Sequence, residues 1–208
     1  MTVACSSGAP PISVGGAEEL LPGELRRPAP RPTVKGRRAQ IVAAARRALE
    51  DEGRQALSLR RVAERIGIRA PSLYKHFDSK AALELAIIED ALEEIGEISH
   101  LAIRASAPGA RLDALLAAYR SYSLSHPHLY RLATEGPLRR DALPPQLEEW
   151  AGNPWFVVTG DAALAQALWS FAHGMMVLEL DRRYPPGSDL DLTWRAGARA
   201  FASAAEAG

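Results

Sequence analysis

Residues 58–80 read SLRRVAERIGIRAPSLYKHFDSK, and this stretch decides the fold. Ser58 stands where a helix needs an N-cap, its hydroxyl free to accept from an amide of the first turn, and Leu59, Val62, Ala63 and Ile66 then recur at helical spacing. Gly67 follows where helices commonly end in a left-handed residue, Ile68 can tuck back onto the core, and Pro71 suits the first turn of a next helix. That second helix is predicted from Arg69 to Phe77. Leu73 and Phe77, four apart, form its apolar stripe and are assigned to core, which leaves Arg69, Ser72, Tyr74, Lys75 and His76 facing outward. Two helices around a tight turn, the second with a polar and aromatic outer surface, read as a helix-turn-helix of the DNA-contacting kind.

The charge pattern points the same way. The whole chain of 208 residues has a formal net charge of zero, yet residues 31–80 hold thirteen Lys and Arg against five Asp and Glu, an excess of eight positive charges. Residues 81–208 carry ten basic and seventeen acidic side chains. A basic segment of this kind is the electrostatic footprint of a phosphate-backbone partner; the bland alternative is a solvated, Arg-rich helical surface. Within the segment, Tyr74 and His76 can donate to phosphate oxygens, Lys80 adds a charge where helix amides already point outward, and Ser58 can contact phosphate while capping. Arg69, Ser72 and Lys75 are the candidates for base edges, and Pro71 could touch a thymine methyl. Packing of Tyr74 on the first helix, and capping by His76, remain open as structural roles.

Working outward, residues 1–32 are rich in Pro, Gly, Ala and Ser, without periodicity, and read as a disordered tail. Thr33 can cap a helix from about residue 35 to residue 52, with Ile41, Val42, Ala45, Ala48 and Leu49 buried and Gly53 as its stop. Ser79 begins a helix of about 25 residues whose apolar positions are Leu83, Ile87, Leu92, Ile95 and Ile98; Pro108 and Gly109 break it. A helix over 110–125 stops at His126 and Pro127, and a short one carries Leu129, Tyr130 and Leu132. Another short segment runs from Pro144 and Pro145 to Trp150, after which Gly152, Asn153 and Pro154 are expected to break the pattern. The last two helices are predicted over 161–181 and 190–205, separated by YPPGSD. No strand alternation appears, and the fold class is all-α.

The helix over 161–181 is apolar nearly all the way round, so it must be covered on two sides. Leu164, Ala167, Phe171 and Gly174 on it, with Trp194 and Phe201 on the last helix, are the candidate dimer interface, a four-helix bundle across a two-fold axis. That both helices are internal core of a monomer is the other reading. Trp150, Trp155, Phe156, Phe171 and His173 outline an apolar volume with one polar group, the composition of a small-molecule site, although aromatics at this spacing also serve as plain core.

The run from Ser58 to Lys80, above all LYKHF followed by DSK, resembles the signature of the tetracycline-repressor (TetR) family of one-component bacterial regulators, over roughly residues 33–84. Trp169, His173 and Gly174, with SHPHLYRLA over 125–133, resemble the subgroup named for its Trp-His-Gly pattern. The resemblance implies an N-terminal three-helix helix-turn-helix domain over 33–84 and a C-terminal helical ligand-binding and dimerisation domain over 85–208. It further implies a homodimeric repressor that holds a palindromic double-stranded DNA operator and is released by a small apolar effector. A helix-turn-helix regulator controlled by a protein partner, or by nothing, is the alternative, and an α-helical enzyme that retains a DNA-binding half is a third.

Catalytic and metal chemistry find little support. His126 and His128 flank a proline and do not share a helix face, no carboxylate pair or Cys stands at ligand spacing beside them, and neither a phosphate-cradling loop nor a nucleophile elbow is present. No catalytic residue, metal or cofactor is therefore expected. A single cysteine, Cys5, leaves no intrachain disulfide, and no apolar run reaches the length of a membrane span, so a cytoplasmic protein without a membrane partner is expected.

Overall fold

In a computed structural model that describes residues 19–29 and 36–207, the apolar pattern resolves into nine α-helices, with no strand among the described residues. Helix α1, Arg37–Glu52, buries Ile41, Val42, Ala44, Ala45, Ala48 and Leu49. It ends at Gly53, whose φ of 79° favours glycine and whose amide returns to the Leu49 carbonyl. Its expected cap, Thr33, lies outside the described residues, as does Cys5.

Helix α2, Leu59–Arg65, is capped by Ser58, whose hydroxyl accepts from the Arg61 amide at 3.2 Å. At its end the Ile68 amide donates to the Ala63 carbonyl and the Gly67 amide to that of Glu64, the paired bonds of a Schellman stop with Gly67 at φ 66°. Helix α3, Ala70–Tyr74, is shorter than the predicted 69–77. The amides of His76 and Phe77 both return to the Leu73 carbonyl, because the chain has to turn before Ser79, whose hydroxyl already caps the next helix through the Ala82 amide.

That next helix, α4, Lys80–Arg104, has 25 residues. At about 1.5 Å per residue it is roughly 37 Å long and runs through both halves of the molecule. Its first half gives Leu83, Ala86, Ile87 and Ala91 to a core shared with α1, α2, α3 and Phe77. The second half departs from the predicted stripe: Ile98 is exposed, and Gly96, Ser99, His100 and Ile103 face inward instead. Gly96 is there because a Cβ would stand 2.5 Å from the Trp150 ring, so only a glycine lets α4 approach that indole.

Helices α5, Arg111–Ser125, α6, Pro127–Thr134, α7, Leu147–Thr159, α8, Ala162–Leu180, and α9, Leu190–Ala207, make the C-terminal half. Its core is Leu112, Leu115, Tyr119, Tyr130, Trp155, Leu168, Ala172, Met176, Trp194 and their neighbours. Leu129 and Leu132 of α6 nevertheless belong to the N-terminal core, and Arg46 of α1 grips Glu94 of α4 with both terminal nitrogens, so the halves are fastened at α6 and α4.

Two expectations are corrected here. Gly152, Asn153 and Pro154 do not break α7, which runs through them. Proline inside a helix strands the carbonyl four residues earlier; here that is Trp150's, and His100 Nε2 of α4 donates to it at 3.0 Å. The tail is not wholly disordered either. Residues 19–29 lie as a strap along α4 and α7, with Leu21 against the C-terminal core and Leu25 against Leu147 and Trp150. The remainder of the expected tail lies outside the described residues.

Candidate nucleic-acid interface and the groove behind it

Leu73 and, just past its end, Phe77 anchor α3 from below, at 0% and 1% exposure, with Ala70 partly buried against the same core. Arg69, Pro71, Ser72 and Lys75 are exposed, and Tyr74 keeps 55% of its surface in solvent, so it does not pack on α2. His76 is half-buried, and its carbonyl accepts from Arg38 at 2.6 Å while the Arg38 guanidinium lies 4.1 Å over the Phe77 ring. Arg38 thus ties α1 to the end of the reader helix.

Ser58 and Lys80 stand at the two flanks. The Ser58 hydroxyl is engaged in its cap, and the Lys80 ammonium reaches the Arg54 carbonyl at 3.2 Å and Glu84 at 3.5 Å. Several other cations of the basic segment meet carboxylates: Arg46 with Glu94, Arg54 with Glu84, Arg60 with Glu64, and Arg61 and Arg65 with Glu52. Counting charges along the sequence therefore overstates what faces a phosphate. Arg47, Arg69 and Lys75 stay exposed, and the last two share the α3 surface.

Of the residues expected to line one ligand volume, Trp155 and Phe171 share the C-terminal core and Trp155 connects to His173 through Tyr119 and Tyr130, whereas Trp150 and Phe156 lie apart. Trp150 stacks on His100 at 5.0 Å, whereas Trp155 meets Tyr119 edge-on at 5.2 Å inside the C-terminal core. Phe156 is 40% exposed and lines a surface cleft with Gly23, Leu25, Glu149, Gly152 and Asn153. Phe171 packs on Trp194, Phe201 and Gly197, where a Cβ would stand 2.1 Å from its ring. His173 accepts a 2.6 Å hydrogen bond from the Tyr130 hydroxyl, and burial holds its pKa below the usual histidine value, consistent with a neutral acceptor. Tyr119 donates to Tyr130 at 3.1 Å, and Trp169 stacks on His173 while 43% exposed.

Among the candidate interface residues, Ala167 is exposed and Leu164, Phe171, Gly174 and Phe201 are partly so. Trp194 is 5% exposed, with Nε1 donating to Glu179, and belongs to the protomer's own core. Exposed apolar positions on α8 and α9 include Ala163, Ala167, Leu178 and Leu192, with Trp169 on the opposite side of α8.

The most enclosed polar constellation was not anticipated. Glu24 of the strap has its side chain fully buried, and its Oε1 accepts from His100 Nδ1 at 2.5 Å and from Arg104 Nε at 2.7 Å. Its Oε2 accepts from the Leu21 amide at 2.8 Å. Asn153 clamps the strap from α7: its side-chain oxygen accepts from the Leu25 amide at 2.9 Å, and its amide donates to the Gly23 carbonyl at 3.1 Å. The His100 ring thus bridges the Glu24 carboxylate and the Trp150 carbonyl. One sequence signal for this site existed: the lone acid in LLPGEL, flanked by leucines, within an otherwise featureless tail.

Burial raises the Glu24 pKa, but bonds from the Leu21 amide, Arg104 and His100 outweigh it, and the net shift is downward. A carboxyl lowered on folding adds stability above its unfolded value, near 4.5, and loses it as pH falls through the folded value. In urea titrations, Glu24→Gln is expected to cost about 1.5–3 kcal/mol near neutral pH, as for a hydrogen bond to a buried charged group. The gap from wild type closes as pH falls through the folded pKa; an equal gap at both ends of the range contradicts an ionised Glu24.

Comparison with known proteins agrees with this architecture. Residues 41–87 match the family described as bacterial regulatory proteins, tetR family, and residues 112–201 match the tetracyclin repressor-like C-terminal domain. The chain is 33% identical to the uncharacterized HTH-type transcriptional regulator Rv0681 of Mycobacterium tuberculosis over 158 residues, 69% of this chain and 70% of that one. The crystal structure of the multidrug binding protein EbrR complexed with imidazole is 26% identical, with a TM-score of 0.61 over 79% of this chain and 94% of that one. A TetR variant from Acinetobacter baumannii AYE in complex with minocycline shares the fold at 21% identity and a TM-score of 0.61, over 83% of this chain and 97% of that one.

Proposed function

The chain belongs to the tetR family of bacterial regulatory proteins, and from that premise we propose that it is a homodimeric repressor that holds a palindromic operator through α3 and releases it when a small, largely apolar ligand binds the C-terminal half. The observation that carries the DNA part is the division of α3 into a buried base, Leu73 with Phe77, and an exposed face of Arg69, Pro71, Ser72, Tyr74 and Lys75. A rigidly seated five-residue helix with that face fits a major groove, and two copies related by a two-fold axis read half-sites about one helical turn apart. Support for the dimer comes from the outward small and apolar positions of α8 and α9, a surface that a second copy can cover.

The test is operator binding by fluorescence anisotropy on fragments upstream of its own gene, with sedimentation velocity for the assembly. Tyr74→Phe is expected to weaken all sequences about equally, as loss of a phosphate contact. Lys75→Ala is expected to cost about 1–3 kcal/mol and to relax preference at one base of each half-site. Ala167→Glu, on the outward face of α8, is expected to yield monomers. A protein that is monomeric as wild type, or that binds no such fragment, refutes the reading.

Ligand control is supported by relatives of this fold whose structures hold imidazole or minocycline. A second reading, a regulator answering to a protein partner or to none, draws on the separation of Trp150 and Phe156 from the core that holds Trp155 and Phe171. Ligand-dependent loss of operator binding decides between them.

A further inference from the structure

We propose that the groove between α4 and α7 is a binding site for an amphipathic carboxylate, that Glu24 of the strap is its built-in occupant, and that the external ligand binds by displacing the strap. The site recognises a carboxylate by construction. His100 and Arg104 converge on one oxygen of Glu24 from α4, whose same face carries Glu93 and Glu97 nearer its start, at 2.5 and 2.7 Å, with His100 itself 1% exposed. The groups flanking the carboxylate are the leucines of the strap, Leu21 and Leu25, which occupy apolar seats that the hydrocarbon body of a ligand can take over.

Several features distinguish this strap from an ordinary docked terminus. Besides the seats of Leu21 and Leu25, the strap's own side chains make two sets of polar contacts, Glu24 with His100 and Arg104 and Arg27 with Glu93 and Glu97, and a molecule bringing its own carboxylate can replace the first. A surface cleft of about 350 Å³, lined by Gly23 and Leu25 on the strap and by Glu149, Gly152, Asn153 and Phe156 on α7, runs along the strap, while the Glu24 side chain is turned into the buried site. That volume lies within the usual range for small-molecule sites. Trp150, stacked on His100, also has a buried Nε1 without an acceptor among the described residues, a donor that the strap leaves unused.

Occupation by the strap lowers the apparent affinity of any competitor by the fraction of molecules in which the groove is empty. Both partners of Glu24 on α4 lie on the same helix that ends in the reader half, and Arg27 of the strap reaches Glu93 and Glu97 further along it. Exchange of strap for ligand therefore changes the contacts along α4. This proposal rests on the ligand-controlled reading above for its effect on DNA, but not for binding itself.

The test uses the full chain and decanoate as the probe, with 1-decanol and decyltrimethylammonium as uncharged and cationic counterparts. Decanoate is expected to quench tryptophan fluorescence and to speed trypsin cleavage after Arg26 in the wild-type protein, while the other two do neither. Glu24→Gln is expected to bind decanoate about tenfold tighter than wild type, because the strap competes less well. Arg104→Gln is expected to abolish the preference for decanoate over decanol. Equal effects of all three probes, or unchanged decanoate affinity in both variants, overturn the proposal. Should Glu24→Gln fold poorly, the wild-type comparison of the three probes by trypsin cleavage decides alone. Operator binding and sedimentation are measured on the same samples. A dimer that binds operator but ignores decanoate removes this site only, whereas a protein that takes up decanoate but binds no operator keeps the site and removes the repressor.

Discussion

Raising the salt from about 50 to about 200 mM is expected to weaken operator binding by about a thousandfold or more, the loss for a dimer making six to ten phosphate contacts. The cause is release of counterions condensed on DNA, which scales with the number of phosphates neutralised. The structure refines which cations count. Arg61 and Arg65 of α2 are held by Glu52 and Arg60 by Glu64, so their substitution should change the slope little. Arg69 and Lys75 are exposed on α3. Both are assigned to base edges, so replacing either with alanine should cost affinity and relax base preference more than it flattens the slope of log affinity against log salt. Anisotropy titrations across the salt range check this, and a flat dependence in the wild type rules out α3 as a phosphate-bound reader.

Phe77→Ala is expected to cost about 3–5 kcal/mol of stability, the usual range for deleting a buried phenyl ring. Phe77 is 1% exposed in the core shared by α1, α2 and α4, with the Arg38 guanidinium on one of its faces. Emptying that position removes half the base of α3 and leaves Arg38 over a cavity. Operator binding should then disappear while the C-terminal half keeps its helical packing, which hydrogen exchange resolved by segment can separate. A loss below about 1 kcal/mol, smaller than ordinary core truncations, contradicts the packing described for this ring.

The helix-turn-helix was legible because each of its features is local. A Ser cap, a helical stripe, a Gly at the stop and a four-residue apolar spacing act over a few residues, and Ser58, Gly67, Leu73 and Phe77 stand as their chemistry requires. Apart from the end of α3, set by the turn before Ser79, the misreadings involve partners distant in the chain. Pro154 breaks a helix unless something receives the stranded carbonyl, and His100 lies fifty residues earlier. Glu24 in a Pro-rich stretch looks solvated until Arg104, eighty residues on, is brought beside it. The five aromatics were grouped by type and nearness in sequence, whereas helix faces separate them: Trp150 turns to α4, Phe171 to α9 and Trp155 to α5. The excess of basic charge was real but partly spent on Glu84 and Glu94, which lie beyond the window in which it was counted.

The strap is covalently joined to α1 through residues 30–35 only, and that connection fixes how it competes. Because the strap and its groove belong to one chain, the strap meets the groove at an effective concentration set by that connection, whatever the protein concentration. Occupancy of the groove is then independent of how much protein the cell makes, and any molecule that displaces the strap faces a threshold set by chain length rather than by abundance. Inserting Gly-Ser repeats into 30–35 should lower that threshold in graded fashion, as effective concentration falls roughly with the three-halves power of tether length.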